Sequence, residues 1–222
     1  PPRHTERLSA EESSMDRLLK LGLLVIGIAC LSVYGYLFWS GRIAANPSPA
    51  APPSPSQESV DLWDAHERAR AAAEQAGGMV ETVSASTQWQ AATEDALLTG
   101  SNQWSFKFFA LESKNILEVV VSQESARVAN RAEVRKDPLI LAEGGWQDGP
   151  RDPLLAFLAR GGRDFLEAHQ QAVVTVHLAT SAEKGALWDI AALNTDDRSV
   201  FAARIDAATL KVLSTASEDG ES

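Results

Sequence analysis

Cysteine is almost absent from this sequence of 222 residues, since the single one, Cys30, lies within an apolar run. One cysteine cannot form an intrachain disulfide. Without a Cys-x-x-Cys pair the chain also has neither a zinc knuckle nor a thioredoxin-like redox motif. The remaining composition, 45% hydrophobic and 23% charged, is ordinary for a folded protein.

Basic residues are also few. Lys and Arg together number 20 against 30 Asp and Glu, which gives a formal net charge of −10. A protein that binds nucleic acid needs clustered Lys and Arg to displace counterions from the phosphates. We therefore expect no nucleic-acid partner.

Motifs that carry catalysis or hold metals are missing. The sequence contains no Gly-x-Ser-x-Gly, no P-loop and no Gly-x-Gly-x-x-Gly. Its four histidines form no His-x-x-x-His or Glu-x-x-His pair, so we interpret them as surface or helix-end residues. The acidic pairs at 94–95 and 196–197 lack the dense ladder of a calcium loop. We expect no catalytic residue, cofactor or metal, although a site assembled from distant residues stays open.

One long uncharged segment stands out, residues 21–39, LGLLVIGIACLSVYGYLFW. At about 1.5 Å per residue these 19 residues cover roughly 28 Å, close to the hydrocarbon thickness of a bilayer. A cleaved signal peptide would have a shorter apolar core followed by small residues, as at 43–45. The length of the apolar segment favours a transmembrane helix, which we place at residues 18–40.

The residues around this segment predict its orientation. Four basic residues precede it and only one follows before Arg68, so the N-terminal tail, residues 1–17, is predicted in the cytoplasm and the rest outside the cell membrane. Residues 58–222 hold 26 acidic and 15 basic residues. Anionic lipid should repel this excess of negative charge, so we expect the region to stand away from the membrane surface. The side chains predicted at the two membrane interfaces are Arg17, Lys20, Tyr34, Tyr36, Trp39 and Arg42.

Residues 41–58 are predicted to be a linker. Five of the twelve residues at 46–57 are proline, which favours an extended and semi-rigid spacer. A ligand for a proline-binding module is the alternative.

The remainder reads as two similar units, residues 59–130 and 152–215, each a helix followed by three strands. The first unit has an Ala-rich helical pattern at 61–76, stopped by Gly77 and Gly78, then alternating or β-branched segments at 79–87, 104–112 and 116–123, with a loop at 90–103. The second has a helix at 152–169, strands at 172–179, 186–193 and 199–205, and a short hairpin strand at 211–214. A connector at 131–151 adds an edge strand near 139–142, and residues 216–222 form an acidic tail. The predicted fold class is α+β, with one transmembrane helix followed by tandem helix-plus-antiparallel-sheet modules.

The second unit resembles the PepSY domain (peptidase propeptide and YpeB type). The resemblance is carried by the Trp-bearing strand 187–190, LWDI, and by the pattern V-x-x-x-I-D-A-x-T-x-K-V-L at 200–213. The first unit resembles it more loosely, through WSFKFF and ILEVVV. Leu210 stands where the family usually has glycine, which predicts an altered turn. The resemblance implies non-catalytic extracytoplasmic modules that bind or inhibit, beside peptidases or in assemblies of the bacterial envelope.

Six tryptophans are more than a chain of this size needs. Trp104 and Trp188 occupy matching strands and are predicted to lie in the core, whereas Trp63, Trp89 and Trp146 could be contacts for a partner. Three functions remain open. The first is an accessory subunit of a larger integral membrane protein complex, with the bilayer and the complex as partners. The second is a membrane-tethered peptidase inhibitor or regulator that binds peptide along a sheet edge, and the third is an enzyme with an unrecognised site.

Overall fold

The computed structural model describes residues 59–142, residue 146 and residues 149–218. The predicted cytoplasmic tail, the predicted transmembrane segment and the linker up to residue 58 lie outside the described residues. Within the described ranges, no helix is both long and apolar enough to cross a membrane.

Each half begins with a helical segment and contains four strands, and the first half has an additional short helix between its first two strands. The first half begins with a long helix and the second with a helix interrupted by a π-turn. The elements are α1 Leu62–Gly77, β1 Val80–Trp89, α2 Glu94–Thr99, β2 Gln103–Ala110, β3 Asn115–Ser122, β4 Ala126–Glu133, α3 Arg151–Phe157, a π-turn Leu158–Gly162, α4 Arg163–Ala168, β5 Val173–Ser181, β6 Gly185–Leu193, β7 Val200–Asp206 and β8 Val212–Glu218.

All eight strands belong to one antiparallel sheet in the order β4-β3-β2-β1-β5-β6-β7-β8. The two halves join because β1 pairs with β5 from Ser84↔Ala179 to Trp89↔Val174. The predicted fold class, with two tandem modules that each have their own sheet, is therefore wrong. The backbone groups on the free side of each first strand find their partners in the other half, which makes one continuous sheet.

Helices cover one face of this sheet. Ring contacts join Phe157 and Phe165 above the sheet to Phe201 on β7, at centroid distances of 5.4 and 6.3 Å. On β2 the core side chains alternate along the strand, and Trp104, Phe106 and Phe108 are at most 1% exposed. Core residues of both halves form a single cluster. The first and second halves therefore share one hydrophobic core.

Helix α1 begins and ends where its sequence indicates. The carboxylate of Asp61 accepts hydrogen bonds from the backbone N–H groups of Trp63 and Asp64, at 2.8 and 3.2 Å. At the other end Gly78 adopts a φ of 75°, which glycine reaches without strain. Between them Ala65, Ala69 and Ala73 are fully buried, so the helix backbone lies close to the sheet.

The second helical segment is interrupted at two glycines. Gly161 has a φ of 119° inside the π-turn, and the ring of Phe201 lies 3.1 Å from where a Cβ would stand. At Gly162 a Cβ would lie 2.4 Å from the ring of Phe157. Side chains at these positions would therefore collide with the aromatic contacts that hold this segment on the sheet.

Two predictions for the connecting region need correction. The edge strand expected near residues 139–142 is not a strand; instead Leu141 donates its N–H to the carbonyl of Thr82 at 2.8 Å and is buried. The edge strand of the first half is instead β4, which lies earlier in the chain. Six of its eight residues are exposed or carry polar side chains, so periodicity gave no signal for it.

Candidate interaction surface

The sheet face opposite the helices, called the open face below, is built from the alternate residues of each strand. On β2, Ser105 and Lys107 lie on it between the core aromatics, and His177 and Thr175 lie on it between the buried valines of β5. None of its central residues belongs to the core cluster. They are Ser84, Ser86, Gln88, Ser105, Lys107, Glu118, Thr175, His177, Ala179, Asp189, Ala191, Ala202 and Arg204.

A polar row crosses the middle of the open face. The strand register places Ser105 opposite Ser86, Ser86 opposite His177, His177 opposite Asp189, and Asp189 opposite Arg204. Directly opposed residues in an antiparallel pair have Cβ atoms about 5 Å apart, so these side chains are neighbours. The row thus joins residues separated by about 100 positions in sequence, which only the β1–β5 pairing brings together.

His177 is the titratable group at the centre of this row. Burial lowers its pKa from the ordinary histidine value, and the positive charge of Lys107 lowers it further, whereas the carboxylate of Asp189 opposes both effects. The imidazole is therefore neutral at pH 7. It offers one donor and one acceptor nitrogen to a surface placed against the sheet.

The charges beside His177 are balanced in sign, and Asp189 and Arg204 form an ion pair within the sheet. Arg204 donates from Nε to Oδ1 of Asp189 at 2.6 Å, and this bond raises the pKa of the guanidinium. On the other side of the row, Lys107 stands opposite Glu118 in the β2–β3 register. The middle of the open face is therefore electrically balanced, although residues 58–222 as a whole carry 26 acidic against 15 basic residues.

Alanines lie beside part of the polar row, whereas Val120 stands opposite Ser105 at its end. Ala191 stands opposite Ala202, and Ala179 lies between Ser84 and Leu187. At these alanines the sheet surface is low, so another protein surface could approach the strands closely there. The open face is suited to contact with a broad surface more than to enclosing a small ligand.

A second cluster contains the residue types of a hydrolase triad, at the turn between β6 and β7. Ser199 donates from Oγ to Oδ1 of Asp197 at 2.6 Å, and its oxygen lies 3.4 Å from Nε2 of His169. Nδ1 of His169 is 3.1 Å from the amide nitrogen of Asn194. Because the serine hydroxyl donates to the carboxylate, it does not donate to the imidazole as the hydroxyl of an activated nucleophile would.

The burial of Ser199 also argues against a nucleophilic role for this cluster. Ser199 is 4% exposed, and its hydroxyl and backbone N–H both bind Asp197, which lowers the pKa of that carboxyl. Asn194 closes the turn through its backbone N–H to the carbonyl of Ser199 at 2.9 Å. The cluster fixes the turn that the sequence predicted here and anchors it to the end of α4.

The three tryptophans considered as partner contacts are mostly occupied within the fold. Trp89 is 8% exposed and donates its indole N–H to the carbonyl of Gly100 at 3.0 Å. Trp146 is 2% exposed and donates to the carbonyl of Ala142 at 3.1 Å. Trp63 is half-buried and packs on Trp146, with ring centroids 5.2 Å apart. Only Trp63 therefore retains surface that a partner could reach.

One histidine lies where the sequence did not indicate. His66 is 3% exposed on the inner side of α1, so its interpretation as a surface residue is wrong. Its Nε2 is 2.8 Å from the hydroxyl of Thr82, and its ring contacts Phe106, Phe108 and Trp146. The helical pattern around it offered a signal, because His66 follows the buried Ala65 and precedes the buried Ala69 by three positions.

Two other possibilities for a site were considered. Among the described residues, no three His, Cys, Asp or Glu side chains are grouped so that they could hold a metal ion. A wide, shallow groove of roughly 310 Å³ lies beside the start of α1, between Asp61 and Gln123. Its main polar groups are already used, since Asp61 caps α1 and Arg68 donates to the carbonyls of Ser122 and Gln123.

Comparison with known proteins adds little to this description. No family model matches the chain, and no curated protein matches it. A solved structure of a candidate lipoprotein from Clostridium difficile 630 is similar to it with 11% sequence identity and a TM-score of 0.47. The similarity covers 74% of this chain and 97% of the other.

Proposed function

We propose that this protein is a non-catalytic interaction subunit, anchored by one transmembrane helix and placed outside the cell membrane, whose open face docks on the extracytoplasmic surface of an integral membrane protein complex. The observation that carries the proposal is the open face itself. Over six strands its middle presents polar side chains, alanines and charges that balance in sign, while the helices lie on the other side of the sheet.

The chemistry of the open face indicates the kind of partner. A flat, electrically balanced surface with serine, threonine, glutamine and neutral histidine side chains can hydrogen-bond to a polar protein surface without burying an unpaired charge. The same surface lacks the clustered basic residues that nucleic acid requires. A folded protein surface therefore fits it better than a polyanion.

The anchor and the location come from the sequence. The uncharged segment at 21–39 and the basic residues before it support a single span with the N-terminus in the cytoplasm. The resemblance to PepSY modules is compatible with an extracytoplasmic binding role. In the described residues, the donation from Ser199 to Asp197 does not support hydrolysis by the cluster that contains His169.

The test compares complexes from native membranes. Ala191→Arg combined with Ala202→Arg places two large cations on the open face without touching the core, whereas Ala71→Arg introduces the same side chain on the exposed side of α1. After mild detergent extraction, the native mass of the wild-type and Ala71→Arg proteins should correspond to one stoichiometric complex of integral proteins. The double variant should be found outside that complex.

Two results would contradict the proposal. One is a complex of unchanged mass with the double variant, which would show that the open face is not the contact. The other is co-purification with one soluble peptidase in place of integral proteins, which would favour an inhibitor. Circular dichroism of each variant controls for loss of fold.

A further inference from the structure

The two edges of the sheet differ in how they discourage pairing with another strand. Edge strands expose unpaired backbone N–H and C=O groups, and proteins usually protect them with charges, bulges or proline. The two edges here are β4 and β8. Their sequences, ARVANRAE and VLSTASE, show that only one of them is protected.

Strand β4 has the usual protective features. It carries Arg127, Arg131 and Glu133, and its register with β3 shifts between Glu118 and Val119. Arg131 also reaches across to donate to the carbonyl of Ala76 at the end of α1. A strand approaching β4 would meet charges of both signs and an irregular ladder.

Strand β8 lacks these features over most of its length. From Ser214 to Ser217 it has no charge and no proline, and these side chains are exposed. Its pairing with β7 is regular from Arg204↔Ser214 to Val200↔Glu218, with the one irregularity at the start of the strand. In the described part of the chain no strand pairs with the outer side of β8.

We propose that β8 pairs antiparallel with β8 of a second copy of this chain, with Ala216 on the two-fold axis. This goes beyond the proposed docking role, because it concerns self-association through the edge and leaves the open face free. The regular segment Ser214–Glu218 is centred on Ala216, so a two-fold axis there uses the whole segment. Ser214 of each copy would then lie opposite Glu218 of the other.

Charge supports this register. Glu218 is the only charged residue in the segment, and its opposite neighbour would be the uncharged Ser214, so no like charges face each other. Ser214 is itself opposite Arg204 on β7. The carboxylate of the second copy would thus lie on the open face two strand spacings, about 10 Å between backbones, from Arg204. The row Asp189–Arg204–Ser214 would continue across the interface with alternating charge.

The strength expected of this contact decides how it should be measured. Pairing of one short edge strand buries less surface than a stable dimer of soluble proteins requires. Confinement of two copies in the same membrane raises their effective concentration and favours the contact. Covalent trapping of the full chain in native membranes is therefore the suitable experiment.

Single cysteines in a Cys30→Ser background test the contact and its register. Ala216→Cys places two cysteines opposite each other, within the 4.4–6.8 Å Cα separation that a disulfide needs. Ala132→Cys is the matched control on β4, also an exposed alanine on an edge strand. Ser214→Cys tests the register, because the two copies of residue 214 would be displaced by four residues, about 13 Å along the strands.

After mild oxidation, the Ala216→Cys protein should form covalent dimer at several-fold higher yield than either other variant. Equal yields at all three positions would indicate random collision and would overturn the proposal. Absence of cross-linking at Ala216→Cys, with a circular dichroism spectrum that shows the fold intact, would overturn it as well. Neither result depends on whether the open face binds its partner.

Discussion

The turn between β7 and β8 shows how single residues determine local structure. Asp206 accepts hydrogen bonds at Oδ1 from the N–H groups of Ala208 and Thr209 and from the Thr209 hydroxyl, at 3.1, 2.8 and 2.8 Å. These three bonds to one carboxylate oxygen hold the turn. Leu210 follows with a φ of 58°, a conformation that favours glycine.

These hydrogen bonds make the contribution of Asp206 depend on pH. They favour the carboxylate, with Thr209 the largest cause, and so lower the pKa of Asp206 from its ordinary value. As pH falls, the unfolded chain takes up the proton first. The stabilisation is therefore complete at neutral pH and is lost as the pH falls through the lower pKa of the folded state.

We predict that Asp206→Ala lowers the free energy of unfolding at pH 7 by no more than about 1 kcal/mol, because the turn is exposed. The difference from the wild type should shrink as the pH falls below about 4. Urea denaturation at several pH values measures it. Asp196→Ala, in the turn after β6, removes an equal charge but none of these hydrogen bonds, and should lower the free energy of unfolding at pH 7 by less; an identical loss for both variants would refute the prediction.

At the scale of the elements, α1 fits the sheet because its inner side is made of alanine. Ala65, Ala69 and Ala73 are fully buried, and the large core side chains come from the sheet, at Phe106 and Phe108. Small residues on the helix and large ones on the strand fill the space between them without voids. The Ala-rich pattern at 61–76 predicted this helix, and the structure confirms it at Leu62–Gly77.

We predict that Ala69→Leu lowers the free energy of unfolding by about 1–3 kcal/mol, since three added carbon atoms would be forced into a filled core. Ala71→Leu is the matched control on the exposed side of the same helix and should change stability by less than about 0.5 kcal/mol. Thermal or urea unfolding followed by circular dichroism gives both values. Equal effects of the two substitutions would show that the inner side of α1 is not packed as described.

For the whole molecule, the pairing of β1 with β5 decides how it unfolds. The register from Ser84↔Ala179 to Trp89↔Val174 makes the two halves one sheet over one core. Two separate modules would be able to unfold independently. A shared sheet and core should unfold together.

We predict a single unfolding transition for the described fold, with tryptophan fluorescence and far-UV circular dichroism changing at the same denaturant concentration. Phe106→Ala in the first half and Trp188→Ala in the second should each lower that same midpoint, at a cost of about 3–5 kcal/mol. Two transitions, each shifted by only one of these substitutions, would contradict the continuous sheet and restore the tandem arrangement.

Local sequence patterns determined much of this protein. Patterns of apolar residues predicted β2, β3, β5, β6 and β7, and Gly77–Gly78 predicted the end of α1. Both kinds of signal depend only on residues that are close together in the sequence. The core positions of Trp104 and Trp188 were predicted for the same reason. The long apolar segment at 21–39 and the charges around it remain a prediction of a membrane anchor.

Only the tertiary structure decided how these elements combine. Pairing between β1 and β5 joins residues about 90 positions apart. The sequence of each strand is compatible with a neighbouring strand on either edge, so it does not indicate which distant strand will pair with it. The sequence did not predict β4, because the side chains of an edge strand can stay exposed and then show no apolar alternation. The open face and the balanced row through His177 exist only once both halves share one sheet, so no reading of local periodicity could have located them.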